Sequence, residues 1–586
     1  MTVLRVDDIP LLYAQIQGLR IQQIIDECIT PHGNRTGLSL GHLMAIWLCY
    51  LLSEADHRLS SVEEWIEKNQ MLLIALSGQS ELTEKDFTDD RLEQALDYLS
   101  QPSNWQRINR ELAAETLEVY DLDVHKTIRL DAAPMQGHQD VKVSELFEYG
   151  YSKHHNSKLG MLKIMLACVD NSLNGFGYPL AHLTVGGATA DDVLYRPIVE
   201  ECEQIFALNH AQCRKLYVGD SKISSIANRY YIHQSNNDYL GPLSKRQLSE
   251  KERMEQIEGT KEQDYHQVYQ EDKSGKQHLI AQGFEQKVQV NYEDEQGKMH
   301  TWEERRIYVR STAYASTQQR ALNQKLEETP KLLQDLLVSK QGRTVLKTAQ
   351  EVQQKVDEVL SKKGLIGLLE VKIEEQQHTK TIRAYGQKPA RIERWSTFGL
   401  QIERNESVIA THKKLQGWQV YATTTSREQL DFEKVVWKYR HQNRVESRFN
   451  DLRNKVVPLV PIFLSKDNRI EALINLLMIC LKVCCVLEFK VAKQLNDQNE
   501  ELAGIYEGNP KRSTDRPTAK RLLKQFRDIS LVIISLTEGA LPQVFLTDLT
   551  NVQLKILNLL GFEPSIYKGL TEKLKLLFLE TEISEI

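Results

Sequence analysis

Apolar positions in the first 120 residues recur at three- and four-residue steps, the spacing of helices with one buried face. Leu38-Ser-Leu-Gly-His-Leu-Met-Ala-Ile-Trp-Leu-Cys-Tyr-Leu-Leu reads as a buried helix. Leu92-Glu-Gln-Ala-Leu-Asp-Tyr-Leu reads as an amphipathic one, its start marked by Thr88-Asp-Asp. Near Lys126 the pattern changes to short apolar runs punctuated by Gly and Asn. Thr127–Asp131, Leu162–Val169 and Phe176–Val185 predict strands, the last two joined by the hairpin-turn chemistry of Asp170-Asn-Ser-Leu-Asn-Gly. Ala190–Leu208 predicts a helix, Lys215–Asp220 a strand buried on both faces, and Ser221–Gln234 another helix. That order describes an α/β domain.

Leu243 to Leu415 differs in character. It is charged and Gln-rich over 247–277, then carries strand-like Glu285–Tyr292 and His300–Arg310 around the turn Glu293–Gly297. A helical block over Ser316–Lys362 and further strand-like pieces to Val408 complete what reads as an insertion with its own small sheet. Gly417–Thr425 returns to strand character, and Leu430–Asn454 predicts one strong helix. The rest is mostly helical, with a surface segment at Glu507–Pro517. The expected organisation is a helical region 1–120, a first core part 121–242, the insertion 243–415, a second core part 416–490 and a helical C-terminal region 491–586, a candidate dimerisation element.

Ile470–Phe489 is long enough to cross a bilayer. Glu471, Asn475, Lys482 and Glu488 would each be costly in lipid, so a buried core helix is expected and no membrane partner. With 41% hydrophobic and 26% charged residues, wholesale disorder is excluded. The net charge of −6 excludes a uniformly basic nucleic-acid coat while leaving room for a local basic groove. Eight cysteines form no CxxC pair and read as reduced thiols. Arg5, Asp7 and Asp8 interrupt any secretory signal, so a cytoplasmic location is expected.

The candidate chemistry rests on Asp131, Asp220 and Glu446. The aspartates end the predicted strands TIRLD and KLYVGD. As parallel neighbours they would set two carboxylates about 5 Å apart, at the edge where open α/β sheets hold ligands. Such a pair calls for a counter-ion, and two Mg²⁺ ions suit its hard oxygens. Around Glu446, a 3.6-residue period makes Val445, Phe449 and Leu452 the buried stripe and leaves Tyr439, Asn443, Asn450 and Arg453 on a polar face. Arg440, Arg444, Arg448, Arg453 and Lys455 surround the glutamate with positive charge, which suits a polyanion. Singly, each acid has a plainer reading: Asp220 as a turn or cap residue, Glu446 as half of a helix ion pair, Asp131 as loop chemistry with Asp123 and Asp140 as rivals.

Gly150-Tyr-Ser-Lys-His-His-Asn-Ser-Lys-Leu-Gly and Gly186-Gly-Ala-Thr-Ala-Asp-Asp resemble the region after the first aspartate of bacterial insertion-sequence transposases of the DDE class, the IS-four-like superfamily in the broad sense. Val218-Gly-Asp-Ser-Lys-Ile resembles their second-aspartate strand, and Tyr439 with Glu446 their closing tyrosine–glutamate signature. The resemblance covers roughly residues 127–485 and implies an RNase H-like core interrupted by a β-rich insertion. It further implies catalytic, metal-holding Asp131, Asp220 and Glu446, two Mg²⁺ ions with Mn²⁺ as a substitute, and cleavage of element ends followed by joining to target DNA. The implied partner is double-stranded DNA, both terminal inverted repeats and target, bound by a homodimer at the bacterial nucleoid. Lys153, His154, Lys158, Lys222, Tyr439, Arg440, Arg444, Arg448, Arg453 and Lys455 are the candidate DNA contacts.

The chain departs from the family pattern at Gln442, where arginine is usual, and at Arg453, where lysine is usual. Ala132 and Ala133 follow the first aspartate where hydroxyl residues are common. A non-catalytic DNA-binding descendant and a nuclease without strand joining are the alternative functions. Trp302, Tyr292 and Tyr308 read as base-stacking residues or, more simply, as sheet core. His154-His155 lacks zinc spacing, Gly186-Gly187 lacks a Walker-type lysine, and the N-terminal helices, candidates for repeat recognition, show no helix-turn-helix.

Overall fold

The computed structural model describes residues 1–584 except 34, 120–126, 151–157, 171–172, 174–176, 209–212, 273, 339–344, 385, 387–388, 455 and 536–541. The protein is mixed α/β, with a nine-strand mixed sheet, several small sheets and many helices. It divides into two compact units: Met1–Gly241 with Asn291–His300 and Lys438–Ile586, and Pro242–Val290 with Thr301–Trp437. The chain re-enters the first unit briefly at Asn291–His300 and again at Lys438.

In the first unit, strands β1 (Thr127–Gly137), β2 (Gly160–Val169), β3 (Tyr178–Gly186), β4 (Leu216–Val218) and β5 (Asp238–Pro242) lie in the order β3-β2-β1-β4-β5. The first three are antiparallel, while β4 runs parallel to both β1 and β5. β1 extends past Asp131 because its pairing with β2 continues to Gly137 opposite Gly160. Leu216, Tyr217 and Val218 are all buried, as expected of a strand with parallel neighbours on both sides. Helix α1 (Tyr195–Leu208) packs Ile198, Val199, Cys202, Ile205 and Phe206 into this core.

The expected helix Leu430–Asn454 is two helices, α2 (Phe432–Arg440) and α3 (Asn443–Asn454). They break at His441 and Gln442, where the Gln442 amide turns onto the Leu130 carbonyl at 2.9 Å. Val445, Phe449 and Leu452 of α3 are buried, as the helical period requires. Helix α4 (Asp467–Asp497) contains the membrane-length apolar run, and 94% of that window is buried inside the protein. Its polar residues find protein partners: Asn475 meets His182 at 3.0 Å, Lys482 donates to the Leu180 carbonyl at 3.3 Å, and Glu488 pairs with Arg448 at 2.8 Å.

The terminal regions are less purely helical than expected. Thr2–Arg5 pairs antiparallel with Ser530–Ile534, which also pairs with Gln543–Leu546. The run Ser530-Leu-Val-Ile-Ile favours a strand through its β-branched residues.

His266–Glu271, Gln277–Glu293, Met299–Ser311 and Trp418–Thr423 are strands of the nine-strand sheet, and residues 243–415 also hold a two-stranded sheet of their own. Trp302 and Tyr308 are core residues, 5% and 0% exposed, and Phe284 stacks on Tyr308 with ring centres 4.6 Å apart. A separate ribbon pairs Leu369–Ile382 with Arg391–Arg404. Its base lies on the helices Thr312–Leu336 and Ala349–Lys363, where Leu326, Leu333, Val352 and Val356 meet Leu369, Val371, Phe398 and Leu400.

Candidate active site

The parallel ladder between β1 and β4 aligns Thr127 with Leu216, Ile128 with Tyr217 and Arg129 with Val218. That constant offset also relates Asp131 to Asp220, each two residues beyond the last aligned pair. Both charges act on the same two buried phenols, Tyr195 and Tyr439, which places the two aspartates around one small region. Both side chains are half-buried. Asp131 Oδ1 accepts the amide of Ala132 at 3.0 Å. Asp220 Oδ1 accepts the Tyr195 hydroxyl at 2.7 Å and the Lys222 amide at 2.8 Å. Gly219 permits this closure, since a Cβ there would lie 2.9 Å from Tyr195 Cε1.

Tyr439 lies in the last turn of α2, and Glu446 is exposed in the first turn of α3, where the helix dipole favours a carboxylate. Two contacts hold α3 along β1. Gln442 Nε2 reaches the Leu130 carbonyl, one residue before Asp131, and Arg453 Nη2 reaches the Pro134 carbonyl at 3.2 Å. Burial, followed by the charges of Asp220, Asp131 and Glu446, pushes the Tyr439 phenol well above its ordinary range. One hydroxyl thus feels all three acids. Tyr195 is raised in the same sense, first by burial and then by Asp220, with Asp131 contributing.

The candidate cations divide into two groups. Lys158, Lys222 and Arg440 are exposed, and Arg453 is half-buried. Arg444 and Arg448 instead point inward, contrary to the expectation that they face DNA. Arg444 Nη1 lies 2.9 Å from Asp170, while Arg448 pairs with Glu488 at 2.8 Å and Asp451 at 3.0 Å. Their positions beside the Val445 and Phe449 stripe draw them inside, where only an ion pair makes a guanidinium tolerable. Lys153, His154 and Lys455 lie outside the described residues.

Sequence reasoning treated Asp170 as part of a turn. The structure makes it the anchor beneath the site: Arg129 grips it through two bonds of 2.8 and 2.7 Å and sends Nη1 to the Lys438 carbonyl at 2.8 Å. The Asp170 amide, in turn, donates to the Thr127 carbonyl at 2.9 Å. Tyr195 was also missed, because an aromatic at a helix start reads first as core.

Among the described residues, no three His, Cys, Asp or Glu side chains gather as a metal-holding group. The Asp131–Asp220 pair nevertheless has suitable donor chemistry, since Mg²⁺ is commonly bound by one or two carboxylates together with waters and substrate phosphates. The fit belongs to that pair, with Glu446 on a separate element. Comparison of the chain with protein-family models and with curated proteins finds no match.

Proposed function

We propose that this chain is a DNA transposase that cuts insertion-element ends and joins them to target DNA by metal-dependent phosphoryl transfer on an RNase H-like core. The observation carrying this reading is the shared offset of Asp131 and Asp220 beyond the β1–β4 ladder. The sheet order, with three antiparallel strands followed by two parallel ones, supports the core assignment. Asp131 and Asp220 would hold Mg²⁺, with Glu446 completing the acid set. When bound, the metal supplies Lewis acidity and lowers the pKa of water.

The protein's own side chains have distinct tasks in this mechanism. Tyr195 fixes the rotamer of Asp220 through its hydroxyl. Tyr439, kept protonated by burial and by its acidic neighbours, can donate a hydrogen bond to a phosphate oxygen. Exposed Lys222 and Arg440 orient the phosphodiester backbone without reading its sequence. Gln442 and Arg453 keep the glutamate helix against the aspartate strand.

The ungathered acid trio favours a second reading, a DNA-binding descendant without catalysis. A supercoiled plasmid carrying the gene's native flanks, incubated with the full chain and Mg²⁺ or Mn²⁺, tests the difference. Nicked and joined products that disappear with Asp131→Asn support the transposase. DNA retention without cleavage supports the descendant, and nicks without joining support a nuclease.

A further inference from the structure

The ribbon Leu369–Ile382/Arg391–Arg404 runs unbroken through fourteen antiparallel pairs, from Leu369 opposite Arg404 to Ile382 opposite Arg391. Its two halves have different surroundings. In the proximal half, Leu369, Val371 and Ile373 face the same side as Phe398, Leu400 and Ile402, and that side packs on the helix pair. Beyond Glu375 that side turns mostly polar, continuing through Gln377, Thr379, Thr381, Ser396 and Arg394, with Ile392 its one exposed apolar residue. A two-stranded ribbon is marginal by itself in water, so the proximal half anchors a distal half that buries little of its own.

The distal half carries Lys380, Arg383, Arg391 and Arg394, all exposed, against Glu375 and Glu393. Glu393 pairs with Arg391, and Glu375 accepts the Ser396 hydroxyl at 2.6 Å. Trp395 is 47% exposed and stacks on His378 across the strands, with ring centres 5.6 Å apart, while Ile392 is 61% exposed. From Glu375 to Ile382 the arm is about 24 Å long at strand rise, and its two strands lie about 4.8 Å apart. A ribbon of that width with side chains fits the major groove of B-DNA, about 12 Å wide.

We propose that the distal half of this ribbon is a DNA-binding arm that enters the major groove of duplex DNA. This rests on the reading of the chain as a DNA-acting protein. Lys380, Arg383, Arg391 and Arg394 contact the phosphates bordering the groove, and Trp395, on the face it shares with His378, Lys380 and Arg391, presents an apolar edge suited to thymine methyl groups. Charge complementarity selects nucleic acid over a second copy of the ribbon, because two arms paired with each other would bring like charges together.

The test compares the full wild-type chain with a Lys380→Ala, Arg383→Ala, Arg391→Ala, Arg394→Ala variant and with Trp395→Ala. Binding to a duplex carrying the native flanks is measured over a salt series in chelator, so cleavage plays no part. The expected result is a binding loss of about tenfold or more near 100 mM salt, with the salt slope reduced by roughly 3 to 4 for the quadruple variant. Trp395→Ala should weaken binding while keeping the slope, and wild-type chain should protect guanine N7 from methylation in the major groove. Unchanged affinity and slope in the quadruple variant would overturn the arm. So would a variant that loses self-association in sedimentation while binding DNA normally, since the ribbon then holds a second copy. Cleavage of the native-flank plasmid by wild type is scored separately, so loss of the arm and loss of the transposase reading give different results.

Discussion

Asp170, one residue past the end of β2 and bonded to Thr127, and Asp131, four residues further along β1, have their charges handled in opposite ways. Asp170 is 8% exposed and grips Arg129 through two bonds and Arg444 through a third. Burial pushes its carboxyl up, but Arg129, Arg444 and Lys438 together outweigh that and hold it below the ordinary carboxylate range. Asp131 is half-buried, accepts the amide of the next residue and shares its edge with Asp220. An acid whose charge is answered inside the fold contributes to stability, whereas two acids side by side keep a charge demand that an outside cation can meet. The partners separate the roles, since the residue type is the same.

The sharpest test of this contrast exchanges charge for amide at each position. Asp170→Asn leaves two buried guanidiniums without their counter-ion and should cost about 3–5 kcal/mol in denaturant unfolding. Asp131→Asn and Asp220→Asn should instead leave stability within about 0.5 kcal/mol of wild type, or raise it by relieving repulsion. Their expected effect is on cleavage of the native-flank plasmid, a loss of about 10³-fold, equivalent to ~4 kcal/mol of transition-state stabilisation. An Asp131→Asn chain that unfolds as readily as Asp170→Asn would erase the distinction.

Acid titration sharpens it further. Burial, with Arg444 and Arg129 next, holds the His441 imidazole down at about 4, whereas an unfolded-chain imidazole takes its proton near 6.5. Between those values the unfolded chain binds more protons, so stability present above about pH 6.5 is lost as pH falls toward 4. His441→Gln should flatten that limb in unfolding curves recorded across the range. The Asp170 contribution should survive to lower pH and vanish only as the solution passes below its depressed value.

Smaller effects are expected where α3 meets β1. Gln442→Ala removes the bond to the Leu130 carbonyl and should cost about 1 kcal/mol, with a matching fall in cleavage and no change in DNA salt slope. Smallest is the neutralisation of one exposed cation. Lys222→Ala or Arg440→Ala should reduce the salt slope of duplex binding by about 1 without altering stability.

The central strands were legible in sequence because their apolar runs end on acids and their turns carry Gly and Asn. The buried stripe Val445, Phe449 and Leu452 was legible from period alone. The inward turn of Arg444 and Arg448 was not. Each needs a carboxylate supplied from a distant part of the chain, Asp170 for one and Glu488 for the other. The break at His441 and Gln442 was hidden for the same reason, because the Leu130 carbonyl that receives Gln442 lies on another element. Sequence patterns report which residues want burial, and they say little about which partner arrives to permit it.

The pairing of Thr2–Arg5 with Ser530–Ile534 has a consequence for manufacture on the ribosome. The strand made first has no pairing strand until more than five hundred further residues have been translated, roughly half a minute to two minutes at ordinary elongation rates. Until then the edge of that strand stays open to chaperones, and closing this sheet is a late step in maturation.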